Sequence, residues 1–475
     1  MNNKAIIGAS AVAVLVIGYV GGSWALGRAV HSGFDSWEQQ LANRPLPMIK
    51  VAERKYTPGV FSSVEEVTFE FNREFFDQLM KSRQPEQQVP AAAETLDPSP
   101  MRFTVRNEVK HGPFPGFTGI GMGRIDTKLV WSKELRAQLD KFLPGREPVE
   151  ITTQLALLGG ASSHVTSPAF ELKDEKMSLA WQGFEGDFSV GRNLGTIGCD
   201  ATAPGVSMHD AEGAGAKLET LKITCDGKRV FDALYTGTVN FEIANIEGSA
   251  KGGASPLRVQ KLSYSSDVRA EGDYLDMAMK AGAAAFTFMQ YELADVKYEL
   301  SMRHVHGPTY AALSRKMQDT AMSSMSGDPA ASLALAGALA EYGPLLLEHS
   351  PQLVIDHVGF SAPEGEFGIK GTVALAGFKK DDLATAQSRA ALVGKVVANA
   401  DVWISEGLLN KDWSAPVEKT EVTDKDPQSP SRLEALRQQV AAFEQQGFVT
   451  RKEGQLHTHI EFKGGALTAN GKPLR

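Results

Sequence analysis

Two His-x-His pairs, His304/His306 and His457/His459, are the residues of this chain whose type and spacing best suit chemistry. Residues two apart on a β-strand project from the same face, so each pair could present two imidazoles to one ligand. With a third ligand either pair could bind zinc, and the chain would then be a hydrolase or another metal-dependent enzyme. The alternative is that both pairs belong to polar strand faces, because polar residues flank them.

Other chemical motifs are missing or weak. The sequence contains no GxSxG, SxxK, HExxH or GxxxxGK[ST] pattern, so the common nucleophile, zinc-protease and phosphate-loop chemistries are not indicated. A helix cap explains the neighbouring carboxylates Asp381 and Asp382, and ordinary solvated charges explain Glu65 and Glu66. No cofactor is predicted, and the sequence favours a protein without catalysis.

Cys199 and Cys225 are the two cysteines of the chain, and each lies at the predicted end of a strand. In an oxidising compartment two cysteines at this separation can close a disulfide. Two unpaired, partly buried thiols are the alternative. A metal site is disfavoured, since two isolated cysteines lack the CxxC spacing of such sites.

An uncharged run at residues 5–27 dominates the N-terminal part of the sequence. As a helix at about 1.5 Å per residue it would be roughly 35 Å long, enough to cross the ~30 Å hydrocarbon layer of a membrane. A cleaved signal peptide is the alternative, with Ser23-Trp24-Ala25 as the cleavage site. The run is longer than the apolar region of most signal peptides, so a retained transmembrane anchor is predicted, with residues 1–4 as a cytoplasmic tip.

Charge and composition restrict the partners of the body that follows. The net charge of −8 and the pI near 5.8 argue against a nucleic-acid or anionic-lipid surface role. The predicted partners are a membrane, through residues 5–27, and either a lipid or another protein, including a second copy of the chain. The body that follows the uncharged run is predicted to lie outside the cytoplasm.

Hydrophobic periodicity predicts an α+β fold, in which the transmembrane helix precedes a large, mainly antiparallel β body with several packed helices. Strands are predicted at 64–71, 103–109, 124–131, 177–181, 217–224, 238–246, 257–264, 268–275, 295–302, 350–357, 368–375, 455–462 and 465–469. Helices are predicted at 132–143, 309–325, 328–348, 380–398 and 430–446. Many of the strands are polar on one side, which is typical of antiparallel sheets with one face in water.

Composition also suggests domain boundaries. Residues 28–54 are predicted to form a helical stem, residues 55–305 a first β-rich region, and residues 306–475 a helical and β C-terminal region. The proline-rich stretch 82–100 has no periodicity and is predicted to be a mobile insertion.

A His-Gly-Pro segment follows two of the predicted strands, beginning at His111 and at His306. This recurrence suggests a duplicated β unit, and in both places the histidine could hydrogen-bond the turn backbone.

Five apolar residues surround the alanine-rich segment 281–285. Their expected role is core packing, and the alternative is that they form an apolar lining for a lipid chain. They are Met277, Met279, Phe286, Phe288 and Met289.

Four motifs follow the apolar run in order along the chain. They are Tyr56-x-x-Gly59-x-Phe61-Ser62, His111-Gly112-Pro113-Phe114, Ser167-Pro168-x-Phe170 and Gly464-Gly465-x-Leu467-Thr-x-Asn470-Gly471-Lys472-Pro473. This organisation resembles the YdgA-like bacterial proteins, a family of unknown function in Gram-negative envelopes. The resemblance implies a self-associating inner-membrane protein that crosses this membrane once, through residues 5–27. Its C-terminal body, including the β-rich region at 55–305, would lie in the periplasm, with a lipid or an envelope protein as partner. The resemblance supplies no catalytic residues.

Together these observations favour a non-catalytic, inner-membrane-anchored periplasmic protein that acts as an envelope scaffold or a binding protein. A sheet with an apolar face could contact lipid, by analogy of architecture with β-groove lipid carriers. The alternatives are a periplasmic hydrolase or metal-dependent enzyme that uses the His-x-His pairs, and a partner protein that docks through the helices at 309–348 and 380–398. Whether helices cover the apolar face of the sheet decides among them.

Overall fold

The computed structural model describes residues 49–71, 102–117, 119–131, 133–173, 177–231, 234–250, 257–289, 291–324, 329–384, 391–411 and 432–474. Over these residues the protein is a large antiparallel β-rich body with few helices, as the alternating patterns predict. The predicted tip (1–4), anchor (5–27) and insertion (82–100) lie outside the described residues. Among the helices that are described, none is long and apolar enough to cross a membrane.

The chain divides into two compact units. Unit 1 contains the described residues up to Val206, together with Lys222–Arg229 and Leu313–Leu339. Unit 2 contains Ser207–Leu221, Val230–Ala312 and the described residues from Ala340 onward. The boundary suggested by the sequence, between residues 305 and 306, lies inside unit 2.

Unit 1 is built from short antiparallel hairpins. Its strands are β1 (Ile49–Thr57), β2 (Ser62–Phe71), β3 (Arg102–His111), β4 (Gly123–Val130), β5 (Glu150–Leu155), β6 (Gly160–Ser167), β7 (Phe170–Lys173), β8 (Met177–Trp181) and β9 (Phe184–Gly191). They pair in the order β1–β2–β3–β4–β5–β6–β9, while β7 pairs with β8. Val67 and Val109, on β2 and β3, are among its most buried side chains.

The helical stem predicted at 28–54 is wrong for residues 49–54, which form the first part of β1. β1 pairs with β2 from Ile49 opposite Phe71 to Thr57 opposite Val64. The helical spacing that motivated the stem ends before Pro45 and Pro47, and beyond them a cross-strand partner decides the conformation. The rest of the stem lies outside the described residues.

Two longer strands, β10 (Thr196–Asp210) and β11 (Gly215–Val230), contribute residues to both units. In unit 1, β10 pairs antiparallel with β9, from Ile197 opposite Val190 to Thr202 opposite Glu185. This pairing places β10 next to β9 in the strand order of unit 1.

Unit 2 has long antiparallel strands. They are β12 (Leu234–Ser249), β13 (Leu257–Glu271), β14 (Tyr274–Phe288), β15 (Tyr291–His306), β16 (Gln352–Ala362), β17 (Gly365–Leu375), β18 (Val396–Ser405), β19 (Thr450–Lys452), β20 (Gln455–Lys463), β21 (Ala466–Ala469) and β22 (Lys472–Pro473). The strands β12 to β18 pair consecutively, β20 pairs with β18, β19 and β21, and β21 pairs with β22. Gly464 and Gly465 form the turn between β20 and β21 with φ values of 60° and 80°, which a two-residue type I′ hairpin requires.

Five α-helices are described: α1 (Lys133–Leu139), α2 (Gly307–Ser324), α3 (Pro329–Leu347), α4 (Glu406–Asn410) and α5 (Arg432–Gln446). Four of them match predicted helices in position, and α4 lies in a segment for which no helix is predicted. The second His-Gly-Pro segment begins α2, whereas the first leads through a loop to β4. The inferred duplication therefore stays a prediction.

The helix predicted at 380–398 is wrong at its C-terminal end. Two 3₁₀ turns, Lys380–Leu383 and Leu392–Lys395, are followed by β18 from Val396. Val396 and Val397 pair with Leu375 and Ala374 of β17. Val396 and Val397 are β-branched and have a strand to pair with, so they adopt the strand conformation although the helical periodicity continues to residue 398.

Candidate functional site

The sheet of unit 2 has two different faces, because side chains alternate along each strand. Residues paired across neighbouring strands share a face, so the register defines rows of side chains that cross the sheet. One such row runs from β12 to β20 and is apolar except at its last position. Its residues are Phe241, Tyr264, Ala281, Tyr298, Val358, Ile369, Val402 and Thr458.

A second apolar row lies on the same face. It runs from β13 to β21 through Val268, Met277, Met302, Leu353, Val373, Ala398, Phe462 and Leu467. On β14, Met277 and Ala281 are four residues apart and therefore point the same way. We call the surface formed by these two rows the apolar face.

The middle of the apolar face is open to solvent. Tyr298 is 46% exposed, Leu353 is 41% exposed and Met302 is 40% exposed. Large apolar residues in the middle of a sheet are ordinarily covered, and contiguous exposed apolar surface typically marks a binding site. The apolar face is therefore the candidate functional surface of unit 2.

One end of the apolar face is covered. Leu456 on β20 is 5% exposed, and with Leu409 of α4 and Val440 of α5 it lines a cavity of about 130 Å³. The Thr458 hydroxyl donates a hydrogen bond of 2.8 Å to the carbonyl oxygen of Phe448, just after α5. These two helices close the β20 end of the face and leave the centre of β15 and β16 exposed.

The opposite face of the same sheet is polar. Trp403 on β18 lies across Gly368 of β17, where an added Cβ would overlap the indole ring. The ring of His357 is 5.7 Å from that of Trp403, and the Lys370 Nζ is 5.9 Å from the ring centroid. An ammonium at this distance makes a cation–π contact.

His457 and His459 lie on this polar face. In the register with β18, His457 is opposite Trp403 and His459 is opposite Asp401. The Nδ1 of His459 is 2.7 Å from Asp401 Oδ1, a hydrogen bond at an exposed site. The two residues share a face, as their spacing predicts.

His304 and His306 are separated by a break in strand regularity. His304 has a φ of 59°, and the β14–β15 register shifts beside it. Its ring stacks on Tyr274 at 3.8 Å, whereas the ring of His306 stacks on His349 at 3.8 Å. The bulge thus gives the two imidazoles different stacking partners, which regular alternation along a strand does not predict.

His306 also connects β15 to the start of α2. Its Nδ1 is 2.8 Å from the Thr309 hydroxyl. Burial, and then the neighbouring His349, lower the pKa of His306 below its ordinary value of 6.5. These packing contacts give His306 a structural role. Across the described ranges, no group of three or more His, Cys, Asp or Glu residues could hold a metal ion.

Cys199 of β10 and Cys225 of β11 form a disulfide within unit 1, with their Cα atoms 4.8 Å apart. This separation falls in the usual range for bridged cysteines. Of the two alternatives that the sequence leaves open, the structure has the bonded pair.

The interpretation of Glu65 as a solvated charge is wrong. Glu65 is 2% exposed, and it accepts hydrogen bonds from Arg54 Nε at 2.8 Å and from Asn107 Nδ2 at 3.0 Å. Its neighbour Glu66 is partly exposed and pairs with Arg106 at 3.1 Å. Asp382 accepts a hydrogen bond from the Lys379 backbone at 2.7 Å, consistent with the predicted cap.

Register, which the sequence does not show, divides the apolar residues grouped around 281–285. Met277 and Met279 lie on the apolar face, while Phe286 and Phe288 alternate onto the opposite face of β14. The period-two signal was present in Met277, Met279 and Ala281. It was hard to recognise because small residues occupy both faces of this strand.

The chain matches, over residues 2–475, the family described as bacterial protein of unknown function (DUF945). A match of this extent shows that the chain belongs to that family. No curated protein and no solved structure matched it.

Proposed function

We propose that this DUF945 protein is a non-catalytic, inner-membrane-anchored periplasmic protein that binds an acyl chain of a lipid on the apolar face of unit 2. The observation that carries the proposal is the exposure of Tyr298, Met302 and Leu353 in the middle of a sheet. In this proposal the protein is a YdgA-like envelope protein that retains residues 5–27 as its anchor.

The dimensions of the apolar face suit an acyl chain. From β13 to β18 the rows cross five strand spacings of about 4.8 Å, or about 24 Å in all. One layer of acyl chains occupies about half of the ~30 Å hydrocarbon core, or roughly 15 Å. Each methylene fully removed from water contributes about 0.8 kcal/mol, so burial against either row favours binding of an acyl chain.

The proposed location agrees with two further features. A disulfide such as Cys199–Cys225 persists outside the reducing cytoplasm. The uncharged run at 5–27 has the length of a membrane-spanning helix. Both support a body that works beside a membrane, where lipid is available.

Two neighbouring residues on β15 give a matched test. Tyr298 lies on the apolar face and Lys297 on the polar face, and both are exposed. The full-length chain, purified in one detergent, would be compared as wild type, Tyr298→Asp and Lys297→Asp by native mass spectrometry and lipid extraction. Because an unpaired carboxylate is costly to bury, Tyr298→Asp should retain about tenfold less lipid, while Lys297→Asp retains the wild-type amount.

Two results would count against lipid binding. One is an equal amount of lipid, or none, on wild type, Tyr298→Asp and Lys297→Asp. The other is a change of oligomeric state in Tyr298→Asp with unchanged lipid content, which would show that a second copy covers the face. Mass measurement of the native complex separates these outcomes.

Metal-dependent hydrolysis through the His-x-His pairs stays a prediction, with one contact in its favour, between His459 and Asp401. Elemental analysis of the purified full-length chain tests it. Stoichiometric zinc that is lost in His459→Gln would support a metal site. We favour lipid binding because His304 and His306 are engaged in ring stacking.

A further inference from the structure

Exposed hydrophobic residues of unit 1 concentrate at one end of its sheet. Four strand pairs turn at this end: β1–β2 at residues 58–61, β3–β4 at 112–122, β5–β6 at 156–159 and β9–β10 at 192–195. Because β1 to β6, β9 and β10 pair in sequence, these turns lie side by side. We name them tip 1 to tip 4 in that order.

Every tip presents large apolar side chains to solvent. Phe117 of tip 2 is 87% exposed, Leu158 of tip 3 is 84% exposed and Ile120 of tip 2 is 74% exposed. The other exposed apolar residues of the tips are Val60, Phe61, Phe114, Leu157 and Leu194. Single exposed hydrophobics are normal, but a row at the ends of four adjacent hairpins needs an explanation.

The tips are connected to one another by backbone contacts. The His111 amide donates to the Phe61 carbonyl at 3.0 Å, which joins tip 2 to tip 1. The Met122 amide donates to the Leu155 carbonyl at 2.8 Å, which joins tip 2 to tip 3. At Gly159 of tip 3 an added Cβ would lie 3.2 Å from the Cγ of Arg192 in tip 4, so tips 3 and 4 are also closely packed. The apolar side chains therefore stand on one connected edge.

The charges of the tips suit insertion into hydrocarbon. Their sequences contain no Asp or Glu, and Arg192 is their one charged residue. A long Arg side chain can extend its head back to the interface while its stem stays among apolar groups. Asp126 on β4, below tip 2, is bonded to Lys110 at 3.0 Å and to Arg124 at 2.9 Å. Inserting the tips would therefore take no unpaired carboxylate out of water. Removing such a charge from water is the costliest step in burying a loop.

We propose that tips 1 to 4 insert their apolar side chains into the interface of a lipid bilayer. The side chains stand on separate turns, and a cleft of about 260 Å³ lined by Ile120, Leu155 and Val190 opens among them. Fluid acyl chains fill such an irregular outline, whereas a protein partner would need a matching surface. The net charge of −8 opposes electrostatic adsorption, so the contact depends on apolar insertion and needs no anionic lipid.

A bilayer is within reach of the tips if residues 5–27 are an anchor. Residues 28–48 can extend to about 70 Å, and β1 measures about 30 Å from Ile49 to tip 1. The chain can thus bring the tips back to the membrane that holds its anchor. This inference concerns unit 1 and does not rest on lipid binding by the apolar face of unit 2.

An environment-sensitive fluorophore on single introduced cysteines tests the proposal in the full-length chain. Leu158→Cys places the label on tip 3, and Ala169→Cys places it on the exposed turn after β6, at the other end of that strand. The protein would be reconstituted into phosphatidylcholine vesicles without reducing agent, with labelled wild type as the blank. We expect a blue shift, a severalfold rise in emission and quenching by nitroxide-labelled lipid for Leu158→Cys, and none of these for Ala169→Cys.

The proposal is overturned if the Leu158→Cys label stays in a water-like environment in vesicles. It is also overturned if the shift occurs without vesicles and grows with protein concentration, because the tips would then be covered by a second copy. Adding Phe117→Asp and Ile120→Asp to the labelled variant should reduce the shift severalfold, with folding checked by circular dichroism. If the tips do not insert but the lipid content of the purified protein is unchanged, only the proposal for unit 1 is contradicted. Lipid binding by the apolar face of unit 2 is then unaffected.

Discussion

At the residue scale, close packing of single groups shapes the polar face of unit 2. Trp403 can lie flat on β17 only because residue 368 has no side chain, and His357 and Lys370 complete its surroundings. A glycine opposite a large aromatic ring is therefore a packing requirement here. It is not a requirement for a special backbone angle.

Replacing Gly368 with alanine should destabilise unit 2 by about 1–3 kcal/mol, because the new methyl group displaces the indole ring. Gly337→Ala in α3 is the matched control. No atom lies within 4 Å of its added Cβ, so the substitution should be neutral or stabilising by up to about 1 kcal/mol. Denaturant unfolding followed by tryptophan fluorescence measures both. Equal effects of the two changes would contradict the packing argument.

His306 should make unit 2 less stable in mild acid. Its pKa is lowered in the folded state, first by burial and then by His349, so the unfolded chain takes up the proton more readily. The stability it contributes is present above pH 6.5 and is lost as the pH falls through the folded-state pKa. Thermal unfolding between pH 7.5 and 5 should show a smaller pH dependence in His306→Gln than in wild type. An unchanged dependence would contradict this account.

Glu65 and Glu66 are adjacent and should respond very differently to alanine. Glu65→Ala leaves the mostly buried Arg54 guanidinium without its carboxylate and should cost about 3–5 kcal/mol. Glu66→Ala removes a partly exposed pair with Arg106 and should cost about 1 kcal/mol or less. Urea unfolding of the two variants measures the difference, and similar losses would show that Glu65 is not held as the structure indicates.

Residue types alone predicted some of these environments and not others. The shared face of His457 and His459 follows from strand alternation and was predictable. Burial of Glu65 was not, since it depends on Arg54 and Asn107 arriving from two neighbouring strands. The different stacking partners of His304 and His306 were also unpredictable, because a bulge at His304 breaks the alternation.

At the element scale, the sequence predicted most strands and underestimated their lengths. The strand predicted at 257–264 is the first part of β13, whereas the strand predicted at 268–275 is wrong, because it runs across the turn between β13 and β14. Polar residues such as Ser265 and Asp267 look like a turn, but they pair with Lys280 and Ala278 in the middle of the hairpin. Long strands with a wet face carry polar residues that a local pattern cannot distinguish from a loop.

The disulfide between β10 and β11 should stabilise this pair of strands. It closes a loop of 26 residues in the unfolded chain, which corresponds to about 3–4 kcal/mol in the loop-entropy treatment. Cys199→Ser with Cys225→Ser should therefore lower the unfolding midpoint, and reducing agent should lower the wild-type midpoint equally. A reductant effect that persists in the double variant would contradict the assignment.

At the scale of the whole molecule, the two units carry different apolar surfaces. Unit 2 exposes apolar residues in the middle of a sheet, and unit 1 exposes them at the ends of hairpins. Alternating patterns were sufficient to predict an antiparallel, β-rich protein. They could not show which rows align, because the register passes through several bulges between β13 and β17.

Photocrosslinking in cells tests the central claim most directly. A benzophenone amino acid at position 298 would face whatever occupies the apolar face, and the same amino acid at position 297 would face the opposite side of β15. Mass analysis of the purified adducts identifies the partner. We predict lipid adducts at position 298 and none at position 297. Adducts with protein alone at position 298, or equal lipid adducts at both positions, would contradict lipid binding on the apolar face.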